Sequence, residues 1–214
     1  MIRGFKDNKT ATAEEWLIDY SLRTGNAVNV NPDLLDMSIK FDGKEVDAFI
    51  LDVCNNKLVI QLSLPMVTKT KFDDKSNRYE TSYVRRLINS NEFLNRFNSE
   101  FVKRIQQTKV HTENYVTTDK LWLLSHEEIN SNVGFLKPND NCTTFEMFKT
   151  IDLEAYSQIV LKDAYGWRLR SAYSNTYNEY YSIYVGIVDY YGYVDYYDAD
   201  TTYYGALLPA CTIC

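Results

Sequence analysis

The stretch that most restricts what this chain can become is its last fifth, Gly166 to Cys214, which reads GWRLRSAYSNTYNEYYSIYVGIVDYYGYVDYYDADTTYYGALLPACTIC. Of 18 tyrosines in 214 residues, 13 lie between Tyr165 and Tyr204, interleaved with Asn, Asp, Ser and Thr and closed by an apolar tail around Pro209. A close-packed core is not built from this alphabet. Tyrosine offers a large, rigid, amphipathic surface with few rotors to freeze, and small polar neighbours add adaptable hydrogen bonds. A tyrosine-rich β-sheet is the alternative, since aromatics are common in strands. The neighbours are small and polar rather than β-branched, which favours a contact surface.

Length sets the frame for that surface. A chain of 214 residues suits one α+β domain with an N-terminal extension. The formal net charge of -6, with Lys and Arg scattered, argues against nucleic acid and against an anionic membrane as partners. No apolar run approaches a membrane span, and MIRGFKDNKTATAEEW lacks the apolar stretch of a signal peptide. The expectation is a soluble product of cytoplasmic synthesis whose four cysteines, Cys54, Cys142, Cys211 and Cys214, stay thiols.

Thr12 to Arg23 places Trp16, Leu17 and Tyr20 at helical spacing, with Thr12 as N-cap and Glu15 completing a capping box. Residues 1–45 are expected to form a helical extension, and 46–214 the main domain. Alternation in Phe49, Leu51, Val53 and in Leu58, Ile60, Leu62 around Asn55-Asn56 predicts a β-hairpin. From Thr81 the period lengthens, and Val84, Leu87, Ile88 followed by Phe93, Phe97, Phe101 and Ile105 predict two helices. Lys120 to Ser125 reads as a buried strand, with Ser125 and Glu128 as a capping box opening a brief helix.

Several separated motifs carry a likeness. Tyr79-Glu-Thr-Ser82 with Val84-Arg85-Arg86-Leu87-Ile88-Asn89, then Asp119-Lys120-Leu-Trp-Leu-Leu-Ser125, then Trp167-Arg-Leu-Arg-Ser171, Gly192-Tyr-Val194 and Leu208-Pro209-Ala210 occur in that order. The ordered set resembles a family of phage and bacterial proteins of C-type lectin fold, related to formylglycine-generating-enzyme domains. Their closing motif is G-V-R-P-A, whereas this chain has Ala206 to Ala210 without the Gly and Arg. The tyrosine-rich stretch is in turn similar to the variable region of proteins diversified by diversity-generating retroelements. The likeness implies a C-type lectin fold with two helices, a small antiparallel sheet and long irregular loops. It also implies that variable side chains of region 166–214 share one ligand-binding face.

The residues themselves point to that face. Trp167, Leu169, Val185, Val194, Leu207 and Ile213 are spaced as core of the C-terminal sheet, and Arg170 is expected to hold loops by bonding carbonyls or a buried carboxylate. Asp189-Tyr190-Tyr191-Gly192 reads as a hairpin turn, the Gly taking positive φ. With Val194 inward, alternation sends Tyr193, Asp195 and Tyr197 outward together. Candidate ligand-binding residues also include Tyr173, Asn175, Tyr177, Asn178, Tyr180 and Tyr181 ahead of the hairpin and Tyr190 and Tyr191 at its tip. Asp198, Asp200, Tyr203 and Tyr204 follow it. Tyr184 and Tyr196 are expected to pack instead.

Chemistry has less support. Cys211-Thr-Ile-Cys214 ends a strand-like tail and lacks the helix N-terminus that activates a redox thiol. Zinc lacks a four-ligand pattern, and His111 and His126 read as surface or capping residues. Asp195, Asp198 and Asp200 could approach a calcium site. No metal, no cofactor and no catalysis are expected. The expected function is recognition of a protein or glycan receptor on a cell surface, by a protein displayed on a virion or envelope through its partners. A structural surface component, or an enzyme of formylglycine-generating type, is the alternative.

Overall fold

The computed structural model describes every residue except 66, 68, 114, 140, 163, 175–182 and 203–205. Two short strands open the chain, β1 (Ile2–Lys6) and β2 (Lys9–Thr12), followed by α1 (Ala13–Thr24). The Thr12 and Glu15 capping box is formed, each side chain taking a backbone N–H of the other. A two-residue hairpin, β3 (Lys40–Phe41) and β4 (Lys44–Glu45), leads to β5 (Ala48–Cys54) and β6 (Lys57–Leu62). Asn55 and Asn56 turn between the last two at φ 50° and 61°, the conformation a tight hairpin turn demands of both central residues.

Three short helices follow, α2 (Tyr83–Ile88), α3 (Asn91–Leu94) and α4 (Ser99–Arg104), where periodicity predicts two. The break has a tertiary cause. Asn98 Oδ1 accepts the Lys40 N–H at 2.8 Å, its Nδ2 donates to Ser38 O, and Asp42 N–H donates to Arg96 O. These bonds to the β3–β4 hairpin replace the helical ones. The rest of the chain runs through β7 (Thr108–Thr112), β8 (Tyr115–Asp119), α5 (Leu153–Leu161), β9 (Gly166–Ala172), β10 (Tyr184–Asp189), β11 (Val194–Asp198) and β12 (Ala210–Ile213). The architecture is α+β.

The main sheet has the order β12-β6-β5-β1-β2, and a second has the order β11-β10-β9. Residues 1–45, expected as a helical extension, instead supply β1 to the main sheet between β5 and β2, parallel to β5. Trp16 and Tyr20 of α1 are buried in the same core. The close packing depends on Gly4, where a Cβ would stand 2.2 Å from that of Trp16. The C-terminal residues likewise divide between sheets: Ile213 pairs with Leu58 in the main one, while Trp167, Leu169 and Val185 are core of the second.

Lys120 to Ser125 is buried as expected from Leu121 to Leu124, yet it is no strand. Trp122 exchanges backbone bonds with Ala210 of β12, and Leu124 O accepts the Arg170 N–H of β9. The segment thus closes one edge of each sheet. The Ser125 and Glu128 bonds are formed, but His126–Asn130 makes a turn and not a helix. An aromatic cluster of Phe5, Phe49, Phe148 and Tyr156 fills the centre, with Tyr156 at 5.4–5.6 Å from the other three. The Tyr156 hydroxyl donates to Gln61 Oε1 at 2.7 Å, and Gln61 Nε2 donates to Leu208 O, so these two buried side chains are matched. Among the described residues no helix is long and apolar enough to cross a membrane.

Candidate functional site

The second sheet carries the candidate site, and its hairpin tip fixes the register. Asp189 Oδ1 accepts the Tyr191 and Tyr193 N–H groups, each at 2.9 Å, while Gly192 N–H donates to Asp189 O. Gly192 has φ 78°, and a Cβ there would stand 2.4 Å from the Glu154 backbone nitrogen. Only glycine satisfies both the left-handed conformation and that close approach to the first turn of α5. Beyond the tip, Val188 pairs with Val194, Ile187 with Asp195, Gly186 with Tyr196, Val185 with Tyr197 and Tyr184 with Asp198.

This register separates the tyrosines into two layers. Tyr193 is 71% exposed and Tyr197 38%, with Asp195 exposed between them, while Val194, Tyr196 and Asp198 are half-buried. At the tip Tyr191 is 60% exposed and its ring meets Tyr190 edge-on at 5.7 Å. Tyr190 is half-buried against the core. Tyr184 and Tyr196 stack at 5.5 Å, as expected of packing residues. Tyr173, expected among the contact residues, is in this inner layer too, 4.3 Å from Tyr196 and stacked on Phe135. Phe135 is a support that sequence periodicity does not single out, because it comes from an irregular loop.

Asp198 is half-buried and its carboxyl titrates above the ordinary value through burial, then the neighbouring Asp200 charge, against the opposing Arg168. Asp200 is exposed. Of the other candidates, Asn175, Tyr177, Asn178, Tyr180, Tyr181, Tyr203 and Tyr204 lie outside the described residues.

Two buried arginines on β9 hold the platform. Arg170 is paired bidentately with Glu128, at 2.6 Å and 2.7 Å, and also donates to Leu123 O and His111 O. Burial works to lower its pKa, but the Glu128 charge and hydrogen bonds more than offset this and the value is raised. This is the scaffold role anticipated for it. Arg168, fully buried, reaches the carbonyls of Asp198 and Thr201, tying down the chain just past the tyrosine row. Burial lowers its pKa to about 10 against the opposing charges of Asp200 and Asp198.

His126, expected as a surface or capping residue, is 4% exposed. The cause is Ser171 of β9, whose Oγ accepts the His126 N–H at 2.9 Å and meets Nδ1 at 3.0 Å. Burial lowers its pKa, opposed by Glu127 and assisted by Arg170. Cys54 and Cys214 are exposed, whereas the other two thiols are turned away from reactivity. Cys211 is fully buried and burial raises its pKa; burial also raises that of Cys142, ahead of the opposing Arg170 charge. Among the described residues no three or more His, Cys, Asp or Glu gather for a metal ion.

A family model described as Domain of unknown function (DUF6273) matches residues 55–213, from the β5–β6 turn to the end of β12. No curated protein and no solved structure matches the chain.

Proposed function

This chain belongs to the DUF6273 family, and we propose that it is a ligand-binding protein whose contact surface is the outward side of the β10–β11 hairpin. The observation that carries this reading is the row of Tyr193, immediately before β11, with Asp195 and Tyr197 on it, exposed together while the alternate residues Val194, Tyr196 and Asp198 are half-buried. Exposed aromatics joined to a carboxylate make a surface suited to a protein or glycan receptor. The support beneath is rigid: Trp167, Leu169, Val185 and Val188 are buried, and Arg170 is locked to Glu128. Such a scaffold accepts changes in its outward residues at little expense in stability, about 0.5 kcal/mol or less per site.

That separation of fixed support from exposed face fits a C-type-lectin-type variable protein of a diversity-generating retroelement, displayed by a phage particle or a cell envelope. Burial raises the Cys142 and Cys211 thiols, which favours binding over catalysis at either of these two cysteines. The test is twofold. Arrays of cell-surface proteins and glycans are screened with the protein, and any hit is repeated with Tyr193→Ala and Tyr197→Ala. Loss of binding by about 2 kcal/mol per central tyrosine with unchanged melting is expected; indifference of every hit to both substitutions sinks the reading. For the diversification itself, the neighbouring DNA should hold a near-copy of the 3′ coding segment differing at adenines, beside a reverse transcriptase.

A further inference from the structure

The edges of the two sheets are treated unequally. The outer edge of β9 is closed by Leu124 and by the loop around Phe135, since Arg170 N–H donates to Leu124 O, Lys137 N–H to Ala172 O and Ser174 N–H to Phe135 O. The outer edge of β12 is met by Trp122 and Ile105. At the other end of the main sheet, β2 exposes only Lys9 and small polar residues. The edge formed by β11 has neither a covering segment among the described residues nor a bland surface.

The backbone groups of that edge follow from the register. Asp189 N–H donates to Tyr193 O and Ala199 N–H to Ile183 O, bracketing the ladder, so residues 195 and 197 bond to β10 and residues 194, 196 and 198 turn their N–H and C=O outward. One of these is occupied from within: Tyr196 N–H donates to Asp195 Oδ1 at 2.8 Å. Asp198 O accepts from Thr201 N–H and Arg168. Among the described residues nothing hydrogen-bonds Val194 N–H, Val194 O, Tyr196 O or Asp198 N–H.

On the proposed binding face as premise, we infer that β11 receives its ligand as an added strand: an extended polypeptide segment pairs with residues 194–198. An unpaired edge is a template for another strand, and main-chain bonds supply affinity while flanking side chains supply selectivity. Tyr193, Asp195 and Tyr197 stand on one side of the new pair, so a Lys or Arg opposite Asp195 gains a cross-strand ion pair and the face of a tyrosine ring. Asp195 has a second part. Its carboxylate holds the Tyr196 N–H until an incoming carbonyl replaces it, which keeps the free edge from pairing indiscriminately.

The probe is a displayed library of random dodecapeptides selected on the full chain, followed by synthesis of the best binder with each backbone amide N-methylated in turn. Strand addition predicts losses of about tenfold or more at alternate positions only, because one peptide face bonds the edge, with a Lys or Arg enriched at one register position. Val194→Pro, which removes an outward N–H and leaves the three outward side chains, lowers binding by a similar factor while melting changes little. Should that variant fail to fold, the N-methyl series decides alone. Binders that need Tyr193 and Tyr197 but tolerate every N-methyl group overturn strand addition and leave the binding face standing. A library yielding no binder, or binders indifferent to Tyr193→Ala and Tyr197→Ala, overturns both.

Discussion

Replacing Glu128 with alanine leaves the Arg170 guanidinium buried without its counter-ion. Arg170 is 2% exposed and is held to Glu128 by two bonds of 2.6 Å and 2.7 Å, with further bonds to Leu123 O and His111 O that cannot neutralise its charge. Removing one member of such a pair costs about 3–5 kcal/mol, because the remaining charge stays in a poorly solvating site. Glu128 Oε2 also accepts the Ser125 N–H at 2.9 Å, whose loss adds about 1 kcal/mol. With a urea slope of about 3 kcal/mol/M for a chain of this size, the unfolding midpoint falls by roughly 1–2 M. The assay is urea unfolding followed by tryptophan fluorescence and far-ultraviolet dichroism together. Replacing both partners, Glu128→Leu with Arg170→Met, recovers most of the loss, since matched apolar groups need no counter-ion. A midpoint shift below about 0.3 M for Glu128→Ala, or a double variant as unstable as the single one, refutes a buried, load-sharing pair.

Gly192→Ala forces a Cβ against the Glu154 backbone at φ 78° and should destabilise by more than about 1 kcal/mol; an unchanged melting temperature contradicts the packing of the hairpin tip on α5. Tyr193→Ala, by contrast, should move stability by no more than about 0.5 kcal/mol, and a larger loss shows the residue to be part of the core. His126 titrates below its ordinary value of 6.5 because it is buried, so the unfolded chain binds the proton first. Its contribution is therefore constant above about pH 6.5, and stability declines as pH falls from there toward the lower folded-state value. His126→Gln should flatten that slope in urea midpoints measured between pH 7.5 and pH 5.5, taken as approximate bounds of the window; an unaltered slope assigns it to other groups.

Several local features were legible because short-range sterics and hydrogen bonding decide them. Thr12 and Glu15 cap α1, Asn55 and Asn56 turn the β5–β6 hairpin, and Gly192 takes positive φ, each from neighbours within a few residues. The alternation that exposes Tyr193, Asp195 and Tyr197 is equally local, since a strand has a period of two. Arg170 could be assigned to scaffolding from its chemistry, but spacing does not identify its partner, because Glu128 lies 42 residues earlier.

What the sequence by itself determined was this set of local conformations, the α+β class and the concentration of tyrosine in one stretch. Only the tertiary structure decided that β1 joins the main sheet, that Asn98 divides the helical segment, and that Leu121–Leu124 bridges two sheets without joining either ladder. It also decided which tyrosines face out: Phe135 stacks on Tyr173, while Tyr193 is left exposed. The physical reason is common to all four. Each depends on a backbone group or ring supplied from tens of residues away, and periodicity reports which side of an element is apolar without reporting what arrives to cover it.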